Sequence, residues 1–421
     1  MEKMRLPYVP LIWMYSNMDR RNTVFLDSSM RNDLGTRSYL GMLPHKVHTP
    51  DDSDLIRTLD GVGEGTLMGF ITYDQGLEMH GIQSKHPDTG IPGFILADFD
   101  IIIEEDHVGR ELTLICRGRV MPPEKERKLV MDLIGKAFEP HVPGIAPPSS
   151  VTLSPGSDFI QSVEEARRMM ADGEYYVINL SRRMRIQSDA DPFDVFLGLR
   201  RISPSPFGAY IDLNGIQVIS SSMELLLDVS DGKAWTRPIK GTVPRTGDVR
   251  KDRDYLQQLL SSDKDRSELL MVTDMERNDM NRFCVPGSVE VKGFFHPEEY
   301  STLYHTVSDV TGTVEEGIGI GRMVECMFPG GSITGAPKHA SMLAIDQLED
   351  SRRGLYTGSI GLFSKERTVM NITIRTMVHR DGMYEMGIGG GITYESDADS
   401  ELRETEQKGL AMRRSLNDGA R

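Results

Sequence analysis

The chain has 421 residues, of which 38% are hydrophobic and 26% charged, and its formal net charge is −15 at pH 7. That length supports roughly two to three domains' worth of core. The acid excess, with no basic stripe along the chain for neutralising phosphates, argues against a nucleic-acid binder, though not against a small anionic substrate held by a few local cations.

Residues 1–145 read as a β-rich N-terminal region. The stretch Val9 to Tyr15 is apolar but short, and it runs into Asp19-Arg20-Arg21-Asn22. It makes neither a signal peptide nor a membrane span, so the expected location is cytoplasmic. Cys116, Cys284 and Cys326 fit no zinc or Cys-x-x-Cys spacing, which agrees with a reducing compartment. Strands are expected over Thr23 to Leu26, Gly69 to Tyr73, Phe94 to Ile103 and Leu112 to Cys116, and a helix over Glu124 to Ala137. The proline-rich His141 to Ser150 reads as a linker. Beyond it, residues 155–415 form a second region. Helices are expected at Ser157 to Asp172 and Pro192 to Ile202, with a strand at Tyr175 to Arg185. Ala209 to Ile219 reads as a hairpin turning at Asn214-Gly215. Asp252 to Met280 carries the pattern of one long helix. The irregular alternation of helix and strand gives an α+β class.

Four features carry chemistry. In Phe328-Pro-Gly-Gly-Ser-Ile-Thr-Gly-Ala-Pro-Lys338 a glycine-rich loop precedes an amphipathic stretch, placing N–H groups where a carboxylate or phosphate could bind; a plain capped turn would explain it as well. Gly389, Gly390 and Gly391 read as a loop open to close ligand approach, or as a tight bulge. Glu401, Glu404 and Lys408 share one helix face, and Asp265 and Glu268 share another. Two such carboxylate pairs converging would suit Mg²⁺, while solvated surface acids remain the alternative. Finally, Lys240 lies in Pro238-Ile-Lys-Gly-Thr242, sixteen residues after Glu224. A tight turn there would desolvate the amine and free it as a nucleophile, although a single lysine can equally be exposed and inert.

These segments, with Glu268 to Asp279, His305-Thr-Val-Ser308, Gly358-Ser-Ile-Gly361, Ile374-Arg-Thr376 and Glu404-Thr-Glu-Gln-Lys408, resemble the chorismate-utilising enzymes. That family includes component I of anthranilate synthase and of aminodeoxychorismate synthase, and the isochorismate and salicylate synthases. The resemblance implies two face-packed β-sheets flanked by helices, with the active site in the C-terminal region. It implies that Glu268 and Glu404 bind Mg²⁺, with Glu401 close by. Arg375 and Tyr356 would hold the enolpyruvyl carboxylate, and Gly389 to Gly391 with Lys408 would complete the anion site. Gly241, Thr242 and Thr334 would line the ring pocket, with His305 beside the reacting carbons.

Lysine at position 240 resembles the aminodeoxychorismate synthase branch, where anthranilate synthases carry alanine. The implied reaction is transaminase-class amination of chorismate at C4, with Lys240 attacking C2 and Glu224 protonating the departing hydroxyl. The alternative is anthranilate formation by C2 amination. No Gly-x-Cys-x-Gly elbow occurs, so ammonia is expected from a separate glutamine amidotransferase subunit. No lyase region follows Arg421, so the expected product is aminodeoxychorismate itself. Val177 and Met223 depart from the family's usual glutamine and proline. Ser203 to Tyr210 partly resembles a tryptophan-binding strand, but Ser203 and Gly208 depart from that pattern, so tryptophan in the N-terminal sandwich, structural or regulatory, stays an open alternative.

Overall fold

A computed structural model describes residues 2–300 and 303–417. Its framework is an antiparallel ladder of twenty strands. Val177–Gln187 pairs with Met383–Thr393, and the ladder continues through Thr376–Arg380, Ile216–Ser222, Phe207–Leu213, Thr23–Asp27 and Arg37–His48 to Phe94–Asp106. There it divides. One end of Phe94–Asp106 pairs with Glu111–Cys116 and the other with Leu67–Ile71. Through Leu67–Ile71 it runs on to Ser359–Phe363, Arg367–Asn371, Leu225–Ser230, Lys233–Arg237 and Leu303–Thr313.

The expected pair of face-packed sheets is therefore two arms of one continuous ladder. Their common interior holds Val24, Phe99, Ile211 and Val218 from one arm against Phe70 and Ile360 from the other. Helices cover the outer faces. Phe193 and Phe196 of Pro192–Ile202 close an aromatic cluster with Tyr15, Phe25 and Tyr210 on one side. Gly156–Ala171 and Lys338–Leu348 pack Phe159, Val163 and Met342 on the other. Strands of the first 145 residues are hydrogen-bonded into the same ladder as those beyond 155: Thr23–Asp27 beside Phe207–Leu213, and Leu67–Ile71 beside Ser359–Phe363.

Local expectations hold where turn chemistry is explicit. Asn214 and Gly215 both adopt positive φ, 53° and 76°, the geometry of a type I′ hairpin. Three expectations change. The long helix breaks into Val249–Leu260 and Asp263–Met280, because Ser262 accepts a hydrogen bond from the Asp265 N–H and caps the second helix. The strand at Gly69 stops at Ile71, since Thr72 caps Tyr73–Met79 in the same way. The glycines 389–391 lie inside Met383–Thr393, not in a loop. No helix among the described residues is long and apolar enough to cross a membrane, and the three cysteines are free and buried.

Candidate active site

The chain passes directly between the two arms twice, at residues 223–224 and at 372–375. Hydrogen bonds lace these crossovers together. Ser222 Oγ donates to the Ile372 carbonyl at 2.6 Å, the Ile372 N–H to the Glu224 carbonyl at 3.0 Å, and the Ser221 N–H to the Arg375 carbonyl at 3.1 Å. Glu224 and Arg375 are thus held at the seam of the sandwich. Arg375 adopts φ 49°, a left-handed conformation costing about 1 kcal/mol or more, retained at the lip of a cavity of about 580 Å³. That volume lies in the range of small-molecule sites.

Lys240 is not in a buried turn. It sits on the strand Ile239–Pro244, where the register slips between Lys240 and Thr242. Gly241, at φ +73°, forms the bulge, which the αL position of such bulges favours. The bulge turns the amine into the cavity, where Nζ donates to the Ser332 carbonyl at 3.3 Å. Glu224 is fully enclosed nearby. Burial pushes its carboxyl up from the usual range, and the charge of Lys240 only partly offsets this. Its Oε1 has no hydrogen-bond partner. A raised carboxyl favours its protonated form, the form that can give a proton to a leaving group.

Arg375 is partly buried, and its guanidinium donates from Nη1 to Ser203 Oγ at 3.2 Å. Burial lowers its pKa from 12.5 to about 10. A desolvated cation without a carboxylate beside it is a receptor for an anion. His305 Nδ1 lies 2.8 Å from Thr242 Oγ1, while Nε2 is buried without a partner. Burial, aided by Arg375, holds the imidazole near a pKa of about 3, so the ring is neutral and can hydrogen-bond but not carry charge. Asn179 Oδ1 and Ser332 Oγ are likewise buried and unpaired. So many unsatisfied polar atoms around one space call for a polar ligand.

Gly389 and Gly391 form the bare wall opposite. Their strand pairs with Val177–Gln187 throughout but with Thr376–Arg380 only over Met383–Glu385, leaving the second edge open beyond. On that edge the Gly389 carbonyl accepts from Lys408 Nζ at 3.0 Å. Alternation along the strand turns the Gly389 and Gly391 N–H groups the same way. A Cβ at Gly391 would stand 3.1 Å from Lys240 Nζ, and one at Gly389 2.8 Å from the Tyr356 hydroxyl.

The acidic side chains come from Asp263–Met280 and Ala398–Ser415. Burial raises the Glu268 carboxyl. Burial opposes ionisation of Glu404 too, but the Lys408 ammonium, 2.6 Å away, outweighs it and lowers the carboxyl. Glu401 accepts from Ser396 Oγ at 2.7 Å. Lys264 Nζ lies 3.9 Å from Glu268 and 3.6 Å from Glu401. No group of three or more metal-ligating side chains is gathered among the described residues. Carboxylates arranged about ammonium groups occur instead, and oxygen donors that accept an ammonium suit a hard cation with retained waters.

Of the residues singled out in the sequence, two do not face the cavity. Thr334 is buried behind it, its hydroxyl donating to the Gly330 carbonyl at 2.8 Å. Gly390 is turned toward Glu401, Glu404 and Lys408. The first turn of Lys338–Leu348 is also outside the wall; the loop contributes Ser332 and Ile333. Sequence reasoning missed Asn179, Ser332 and Lys264. Only Lys264 had a signal, its i,i+4 spacing from Glu268. It also missed Arg353, whose guanidinium donates to the Ile333 and Asn179 carbonyls and to Glu349 while lying over the Tyr73 and Tyr356 rings. Near the expected tryptophan strand, Arg367 is paired with Asp228 and donates to Tyr39. The cavity there measures about 40 Å³, room for a few waters. Ser203, a departure from the tryptophan pattern, is the residue that holds Arg375.

A family model described as chorismate binding enzyme matches residues 28–414. The chain is 37% identical over 397 residues to aminodeoxychorismate synthase component 1 of Salmonella typhimurium, covering 92% of this chain and 82% of that one. It is 35% identical over 363 residues to an anthranilate synthase component 1 of Haloarcula marismortui, covering 82% and 71%. The solved anthranilate synthase component I of Streptococcus pneumoniae superposes with a TM-score of 0.81 at 24% identity, covering 96% of this chain and 97% of that one.

Proposed function

This chain belongs to the chorismate-binding enzyme family, and on that premise we propose that it aminates chorismate at C4 to give aminodeoxychorismate. The observation that carries the reading is the Lys240 amine, turned by the Gly241 bulge into the same cavity as the enclosed Glu224, whose carboxyl burial pushes upward. In the proposed sequence the Lys240 amine adds to C2, the ring double bonds shift, and the C4 hydroxyl leaves as water with the proton of Glu224. Ammonia then adds at C4, the double bonds shift back, and Lys240 departs from C2. Splitting one substitution into two lowers each barrier.

Arg375 and the Tyr356 hydroxyl hold the enolpyruvyl carboxylate, and His305, neutral and fixed by Thr242, stands beside the ring. Glu268 and Glu404, with Glu401 adjacent, would hold Mg²⁺, whose charge would stabilise the ring carboxylate as electrons move. Ammonia comes from a glutamine amidotransferase partner, in keeping with the name component 1 carried by relatives. The deciding experiment supplies chorismate, Mg²⁺ and ammonium salt to the purified chain and identifies the product by mass spectrometry. Aminodeoxychorismate supports the reading. Anthranilate as main product would place the chain with its anthranilate synthase relatives and leave Lys240 without its covalent role.

A further inference from the structure

Lys264 stands in an unfavourable place for a lysine. It lies in the first turn of Asp263–Met280, where the helix dipole repels cations. It also precedes Glu268 by four residues, the weaker orientation for such a pair. Helix stability therefore does not account for it. What holds it is the cavity: its ammonium bridges Glu268 on its own helix, at 3.9 Å, and Glu401 on Ala398–Ser415, at 3.6 Å. Both acids are more than nine-tenths buried, at 8% and 5% exposure, and buried carboxylates need a cation close by; Lys240 shares that part at Glu268, whereas the ion pair of Glu401 is with Lys264. Glu401 is further fixed by Ser396. The Lys264 side chain is by contrast about half exposed, 47%, so its long stem can swing into solvent. Lys408 stands in the same relation to Glu404 but is tied to the Gly389 carbonyl as well. Among the described residues Lys264 has no such second anchor.

We propose that Lys264 is the resident counter-cation of this site: its ammonium neutralises Glu268 and Glu401 in the empty enzyme and leaves for solvent when a divalent ion takes the same carboxylates. The inference rests on the reading of these acids as metal-binding. It makes metal affinity a difference between two cations, so the lysine sets the concentration at which the ion enters.

The test titrates Mg²⁺ into the full-length chain at low salt, by calorimetry and by thermal unfolding, for the wild type, Lys264→Met and Lys264→Arg. Relieved of its competitor, Lys264→Met should bind Mg²⁺ about three- to tenfold more tightly, the range set by two partly exposed ion pairs. Without metal it should melt at a lower temperature than the wild type, and Mg²⁺ should raise its Tm by more. Lys264→Arg, which keeps the charge, should behave like the wild type. Equal or weaker Mg²⁺ binding by Lys264→Met overturns the proposal while leaving the metal site standing. Absence of any heat or Tm change in both wild type and Lys264→Met removes the metal site, and the proposal with it.

Discussion

Replacing Arg375 by Met should stabilise the protein while abolishing substrate capture. The guanidinium's pKa falls from 12.5 to about 10 because it is buried. At 1.36 kcal/mol per tenfold change in proton affinity, keeping it charged costs about 3 kcal/mol. Methionine fills similar space without that cost but forfeits the hydrogen bond to Ser203, worth about 1 kcal/mol. The backbone conformation at φ 49° burdens both side chains alike. A net gain of about 1–3 kcal/mol in unfolding free energy is expected from urea titration. The sign with pH also follows. Folded and unfolded chains both carry the charge below pH about 10, so the gain should be constant from pH 5 to 9 and shrink only as pH rises further. The KM for chorismate should meanwhile rise by about 10²-fold or more, the cost of truncating one partner of a buried charge pair. A loss of 1 kcal/mol or more in stability would mean that Arg375 is a paired structural residue. An unchanged KM would mean that it does not meet the substrate's carboxylate.

Further outcomes can be read with the same ammonium-dependent assay. Lys240→Ala and Lys240→Arg should each lower C4 amination by about 10²-fold or more, since neither offers an amine that can shed its proton and attack; near-normal rates in either would rule out a covalent lysine. Glu224→Gln should cost about 10²- to 10⁴-fold in kcat. Because burial raises the Glu224 carboxyl, the wild-type rate should persist above the usual carboxylate range and decline as pH rises and the proton is lost; the same decline in Glu224→Gln would assign it to another group. Gly391→Ala places a methyl 3.1 Å from Lys240 Nζ. It should displace the amine and lower kcat by about tenfold or more, with about 1 kcal/mol or less lost in stability. An unaffected kcat would argue that the amine works from elsewhere.

The parts of this site that were legible in the sequence are those whose local chemistry is self-contained. Asn214-Gly215 specifies its turn without help, and acids at i and i+3 share a helix face wherever that helix goes. The split at Ser262 was hidden because apolar spacing continues across it, and only the cap tells the two helices apart. Lys240 and the glycines 389–391 were recognised as special but given the wrong backbone. Glycine allows a turn, a bulge or a bare strand, and the choice depends on the neighbouring strand, which lies far away in sequence. Asn179 and Ser332 were invisible for a related reason. An unpaired buried amide or hydroxyl is a property of its surroundings, and nothing in residue type or spacing announces it.

The seam between the two arms has a consequence for how this protein can be cut. A fragment beginning near residue 150 would keep every side chain assigned to the reaction. It would, however, remove Thr23–Asp27 from beside Phe207–Leu213 and Leu67–Ile71 from beside Ser359–Phe363. Two apolar strand edges would be left bare, an invitation to aggregate. The interior shared by Phe70, Phe99 and Ile211 would open directly behind the crossovers that carry Glu224 and Arg375. The first third of the chain supplies no reacting group, yet it is the backing plate on which the reacting groups are mounted.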